Sequence, residues 1–104
     1  MSPAKCSKVA SNLSAETIRI LKISNKRGLH ARASAKFVEC AAKYDAEIRV
    51  SKDGHIVGGT SIMGLMMLAA GLGSDIHISA TGIQAAEAID AIADLIDNKF
   101  GESE

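Results

Sequence analysis

The feature that most constrains what this 104-residue chain can become is its interleaving of two hydrophobic periods. Four short stretches read as strands with one apolar face, and three others repeat apolar residues every three or four positions, as one-sided helices do. Glu16 to Ser24 is rich in β-branched and aliphatic residues, with Leu21 and Ile23 alternating with Lys22. Asn25-Lys26-Arg27-Gly28 breaks that strand. From Ala31 to Lys43, Ser34, Phe37, Val38 and Ala41 share a helical face, while Arg32, Lys36, Glu39 and Lys43 point elsewhere. Ala46 to Lys52 alternates Ile48 and Val50 with Glu47, Arg49 and Lys52. Asp53-Gly54 then suits a tight hairpin turn, with His55 to Gly58 as the returning strand. Ser61 stands before Ile62-Met63-Gly64-Leu65-Met66-Met67-Leu68 and can cap a short second helix, whose exit is marked by Gly71 and Gly73. Asp75 to Thr81 alternates Ile76 and Ile78 with His77 and Ser79, and Gly82 ends it. Ala85, Ile89, Ile92, Ala93 and Ile96 line one side of a long last helix, with Glu87, Asp90, Asp94 and Asp97 on another. The order βαββαβα, with one-sided strands, predicts an α+β open-faced β-sandwich. Its four-stranded antiparallel sheet carries three helices on one face and leaves the other to water.

An apolar content of 47% supports one domain with a real core. That domain is assigned to residues 16–100, with 101–104 as a short C-terminal tail. The first fifteen residues, MSPAKCSKVASNLSA, are small and polar, lack the apolar stretch of a secretory signal, and read as a flexible N-terminal tail. The longest apolar run, Ile62 to Leu72, is interrupted by Gly64 and Gly71 and falls far short of the roughly 20 residues that span a bilayer. Twelve basic residues balance twelve acidic ones, so no net field recruits nucleic acid or an anionic membrane. Lys22, Lys26 and Arg27 lack the interleaved aromatics of a nucleic-acid surface. Cys6 and Cys40 stand apart from any histidine cluster and read as free thiols. A soluble, cytoplasmic protein is the expectation.

Gly28-Leu29-His30-Ala31-Arg32 puts His30 at or beside the N-cap of the first helix. The first N–H groups of a helix have no partner within it, which makes this end receptive to an anion, by about 0.3–1 kcal/mol where it is exposed. A neutral imidazole there offers a nucleophilic nitrogen, and Arg32 and Arg27 are placed to steady a phosphate. A histidine two residues before an arginine is common by chance, and a loop histidine is most often a solvated polar residue. Spacing alone therefore leaves both readings open.

The segment NKRGLHARASAKFVECA closely resembles the active-site segment of the histidine-containing phosphocarrier proteins (HPr) of the bacterial phosphotransferase system. Thr60-Ser61-Ile62-Met63-Gly64-Leu65-Met66 resembles that family's regulatory-serine helix, and the likeness runs from about Glu16 to Phe100. The resemblance implies that His30 accepts a phosphoryl group on Nδ1 from enzyme I, itself charged by phosphoenolpyruvate, and passes it to an enzyme IIA. It implies that Arg32 assists the phosphorylated state and that Ser61 is the target of an HPr kinase/phosphorylase. Ile62, Met63 and Met66, with Arg27, would dock the partners. Such a chain is a carrier more than an enzyme, and needs neither metal nor other cofactor. Ala33 departs from the family pattern, which usually has proline there; the loss loosens the helix start but removes no group needed for transfer.

The acidic last helix ending in Asn98-Lys99-Phe100-Gly101 and the methionine-rich second helix also resemble the family's nitrogen-related branch, whereas Ser61 argues for kinase control. The competing reading is a regulatory binding module of the same fold, working through docking and the Ser61 switch alone; His30 and Arg32 together favour the carrier. His55 and His77 have no second ligand type at metal spacing and read as solvated side chains.

Overall fold

The computed structural model describes residues 16–102. Its elements are β1 (Glu16–Lys22), α1 (Ala31–Ala42), β2 (Glu47–Lys52), β3 (His55–Gly58), α2 (Ile62–Met67), β4 (Asp75–Thr81) and α3 (Ala85–Asp97). A single turn of 3-10 helix, Lys99–Gly101, follows. The segment expected to be a flexible N-terminal tail, and Cys6 with it, lie outside the described residues.

The strands form one sheet in the order β1-β4-β2-β3, and every neighbouring pair is antiparallel. Asp53 and Gly54 join β2 to β3 with φ of 53° and 86°. Two consecutive positive φ values give the turn whose twist matches the flanking strands, which is why an Asp-Gly pair closes this hairpin. On the helix side, Ile48 and Val50 of β2 and Ile76, Ile78 and Ala80 of β4 are buried. They meet Phe37 of α1, Leu65 of α2 and Ile89, Ile92 and Ile96 of α3 in one core. Each of these side chains other than Ala80 contributes about 1.5–3 kcal/mol of burial. The other sheet face is left to water, as the one-sided strands predict.

Two local readings are refined. Strand β1 ends at Lys22 rather than Ser24. Beyond it the Ile23 N–H donates to the Ser74 carbonyl at 2.8 Å, and the Ser24 hydroxyl turns away to donate to the Ile96 carbonyl at 2.6 Å, so the chain leaves the ladder. Within β1, Leu21 faces the helices, as does Arg19, which pairs with Asp90 of α3 at 2.9 Å. Ile18 and Ile20 lie on the open face and are exposed. Ser34 sits on the apolar face of α1 because its hydroxyl donates to the Leu29 carbonyl at 3.1 Å, leaving no buried polar group unpaired there. Ala33, at the position where the resembled family usually has proline, is fully buried. Cys40 is a half-buried free thiol, and burial pushes it up against the smaller pull of Lys43.

Candidate functional site

The turn between β1 and α1 is built from Asn25 to Leu29. Gly28 takes φ of 67°, and the Leu29 N–H donates to the Ala70 carbonyl at 2.9 Å, which fixes the entry to α1 against the loop after α2. His30 is the N-cap, with extended backbone, and its carbonyl accepts from the Ser34 N–H at 2.8 Å. Its Nδ1 accepts from the Arg32 N–H at 3.3 Å. On the other side of the ring, Nε2 bonds to the Glu102 carboxylate. An ionised carboxylate has only acceptor oxygens, so the ring proton is assigned to Nε2 and the lone pair to Nδ1. The His30 side chain is 25% exposed, enough for a partner to reach it. The first turn of α1 contains no acidic residue, and Arg27 and Arg32 are exposed. No acidic residue of the first turn opposes an incoming anion, and the Glu102 carboxylate lies on the Nε2 side of the ring.

Glu102 and Asn25 were absent from the sequence-level site. The residues read as a short C-terminal tail begin with Gly101, at the end of the 3-10 turn, and Glu102, which lies on the His30 ring; Ser103 and Glu104 lie outside the described residues. The available signal was Phe100, an aromatic residue just past the acidic helix, which is fully buried and draws the chain back over the core. Removal from water pushes the Glu102 carboxyl up. That effect is outweighed by hydrogen bonds from His30 and Asn25 and by the charges of Arg27 and, once its ring is protonated, of His30, which hold it below the usual carboxylate range. A carboxylate depressed in this way contributes its full stabilisation above its unfolded value and loses it as the pH falls through the depressed one. We expect the tail to stay docked at neutral pH and to let go only on acidification below the ordinary carboxylate range. The Glu102 side-chain carbon and Asn25 amide signals in an NMR titration check this; a Glu102 titration at or above the free-peptide value excludes it.

Ser61 is the N-cap of α2, exposed, and its Oγ accepts from the Gly64 N–H at 3.0 Å. Leu65 and Leu68 turn inward, while Ile62, Met63, Met66 and Met67 are 41%, 70%, 40% and 78% exposed. A methionine stripe of this kind is more often core; here it forms a surface, connected to the His30 turn through the Leu29–Ala70 hydrogen bond. His55 and His77 are exposed, His77 on the open sheet face opposite Ile20 and Ser51. Among the described residues no three His, Cys, Asp or Glu side chains converge as a metal site, and no helix is long and apolar enough to cross a membrane.

A family model described as the PTS HPr component phosphorylation site matches residues 18–98. The phosphocarrier protein HPr of Neisseria meningitidis is 50% identical over 84 residues, covering 81% of this chain and 94% of that protein. The phosphocarrier protein NPr of Shewanella violacea is 41% identical over 85 residues, covering 82% and 93%. The crystal structure of HPr-C-His from Thermoanaerobacter tengcongensis is similar with a TM-score of 0.81 at 44% identity, covering 85% of this chain and 99% of that one.

Proposed function

The chain belongs to the histidine-containing phosphocarrier (HPr) family of the phosphotransferase system, and on that premise we propose that His30 is its phosphoryl acceptor. It takes the group from enzyme I and gives it to an enzyme IIA. The observation that carries this is the placement of the His30 Nδ1 lone pair at the N-terminus of α1, hydrogen-bonded to the Arg32 N–H.

In transfer, the Nδ1 lone pair forms the new bond to phosphorus. The bond from phosphorus to the donor breaks, and its electron pair returns to the donor. The Arg32 N–H, released from Nδ1, then faces the phosphoryl oxygens together with the other unpaired N–H groups of the first turn. The Arg32 and Arg27 guanidiniums add mobile positive charge from the surface. Stabilisation at a helix end is modest, as a carrier needs: the phosphoryl group is held for diffusion and still leaves readily for the next acceptor. In-line positioning comes largely from the partner protein, so the chain acts as a carrier and not as an enzyme, working among cytoplasmic partners.

Ile62, Met63 and Met66 form the apolar part of the docking surface, with Arg27 at its charged edge. Phosphorylation of Ser61 by an HPr kinase/phosphorylase would place about −1.5 to −2 charge at that face while keeping an acceptor for the Gly64 N–H, making an inhibitory switch. We expect Ser61→Asp to keep the cap and to slow phosphorylation by enzyme I about three- to tenfold through KM, as a misplaced charge at an interface does. Ser61→Ala should cost about 0.5–2 kcal/mol of stability and leave transfer within about twofold. Steady-state transfer and urea unfolding check both, and a wild-type KM for the aspartate variant removes the switch.

The test of the acceptor is transfer from phosphoenolpyruvate through enzyme I to the full chain. An acid-labile, alkali-stable label supports the carrier. A folded chain that takes no label from several enzymes I leaves the regulatory binding module.

A further inference from the structure

Strand β1 lies at an edge of the sheet, and its sequence is complementary to itself. Its seven residues form an unbroken ladder with β4, from Glu16 opposite Thr81 to Lys22 opposite Asp75. No strand among the described residues pairs with its other side. Just past the strand, the Ile23 N–H donates to the Ser74 carbonyl at 2.8 Å, and the Ile23 carbonyl accepts from the Gly73 N–H at 2.9 Å. Backbone direction alternates along an antiparallel strand, so the N–H and carbonyl groups of Glu16, Ile18, Ile20 and Lys22 point away from β4. Sheet edges are usually blunted by proline, by a bulge or by shortness. The opposite edge, β3, has only four residues, whereas β1 carries none of these devices over its whole length. The same residues present their side chains on the open face. Ile18 and Ile20 are 60% and 59% exposed, with Glu16 before them and Lys22 after them.

We propose that β1 is an interface for a second copy of this chain, the two β1 strands pairing antiparallel about a two-fold axis at Arg19 and joining two sheets into one. In that register Ile18 stands opposite Ile20 of the second copy, and Glu16 stands opposite Lys22, each contact occurring twice by symmetry. The outward backbone groups of both strands then face one another. A slip of two residues, the smallest that keeps them facing, sets Ile18 against Lys22 or Ile20 against Glu16 and loses the ion pairs. Lys22 donates from Nζ to Asp75 Oδ1 at 3.0 Å and to the Gly73 carbonyl at 3.4 Å, and an ammonium has a third N–H for the carboxylate of the second copy. Arg19 lies on the helix side and meets Arg19 of the second copy at the axis. Each is paired with its own Asp90 at 2.9 Å, so two ion pairs come together there and not two bare cations.

The test is sedimentation of the full chain over a concentration series, with amide hydrogen exchange read residue by residue. We expect a dimer with a Kd on the order of 10–100 µM, as suits an interface at the small end of specific ones. Exchange at Ile18 and Ile20 should slow as concentration rises, while Arg19 and Leu21, whose amides face β4, stay unchanged. Ile18→Lys changes an exposed side chain that the core does not use, and should weaken association at least about tenfold. Ile56→Lys is the control. Ile56 is 69% exposed on the same sheet but on the far edge strand, and its replacement should leave association within about twofold. Glu16→Lys should weaken it about three- to tenfold by setting like charges opposite each other. Circular dichroism confirms that the variants fold. A chain that stays monomeric at the top of the series overturns the proposal, and so does a dimer that survives Ile18→Lys. Equal losses from Ile18→Lys and Ile56→Lys would mean that the open faces stack, which also overturns it. Contacts between β1 and β4 of differently labelled copies would show strand exchange in place of edge pairing. Protection of the Ile18 and Ile20 amides that does not depend on concentration would show the edge covered within one chain. Either result overturns the proposal as well.

Discussion

Replacing His30 with alanine should abolish acid-labile phosphate uptake while the fold survives. The chain has two other histidines, and neither can take over the role. His55 lies in the short edge strand β3, and His77 lies on the open sheet face, and neither has a helix N-terminus or a carboxylate on its ring. The change removes the long bond that His30 accepts from the Arg32 N–H, at 3.3 Å, and one of the partners of the Glu102 carboxylate, which keeps its bond from Asn25. Losing the cap costs about 0.5–1 kcal/mol and taking a partner from the carboxylate about 1–3 kcal/mol more, which a folded domain of this size withstands. The experiment is label transfer from phosphoenolpyruvate and enzyme I, quenched in acid and in alkali, with circular dichroism to confirm folding. Label that persists at the wild-type level in His30→Ala would place the acceptor elsewhere.

The largest stability effect is expected at Gly28, two residues before His30. Its φ of 67° lies where an L side chain is strained, at about 1–2 kcal/mol. An added Cβ would also sit 2.1 Å from the Ala70 carbonyl oxygen and 2.7 Å from Gly71 Cα, both backbone atoms that cannot swing aside. Relieving that contact means moving the loop after α2 and breaking the Leu29–Ala70 hydrogen bond, an overpacking cost of about 1–3 kcal/mol more. Gly28→Ala should therefore lose about 2–5 kcal/mol, or roughly 10–30 °C in Tm for a domain of this size. Gly54→Ala is the matched control: its φ is 86° but nothing lies within 4 Å of the new Cβ, so only the conformational part remains. Urea and thermal unfolding of the two variants check the comparison. Equal losses would mean that the close approach to Ala70 carries no energy.

Much of the fold was legible because its signals are local. The Ile48/Val50 and Ile76/Ile78 alternations, the helical spacing of Phe37 and Ala41 and of Ile89, Ile92 and Ile96, and the Asp53-Gly54 turn each depend on neighbours within a few residues. Ser61 as a cap and His30 at a helix start were legible on the same ground. Strand β1 was less so. It offers Ile18 and Ile20 on one side and Leu21 on the other, and a period of two cannot choose between faces that are both apolar. Pairing with β4 made the choice, by turning Leu21 and Arg19 toward α3. Helix α2 has only six residues, apolar nearly all round, so whether the methionines or the leucines are buried was decided by which of them met the core.

The site divides along the same line. Sequence by itself placed His30 at a helix start with Arg27 and Arg32 near it, since all lie within a few residues of one another. Only the tertiary structure brought Glu102 onto His30 across 72 positions and set Asn25 between them. That contact depends on Phe100 burying itself in a core assembled from every element, and on Lys36 of α1 holding the Phe100 carbonyl. Residue spacing along the chain encodes short-range geometry. Contacts between distant residues are set by the burial and hydrogen bonding of the whole domain, which no local pattern records.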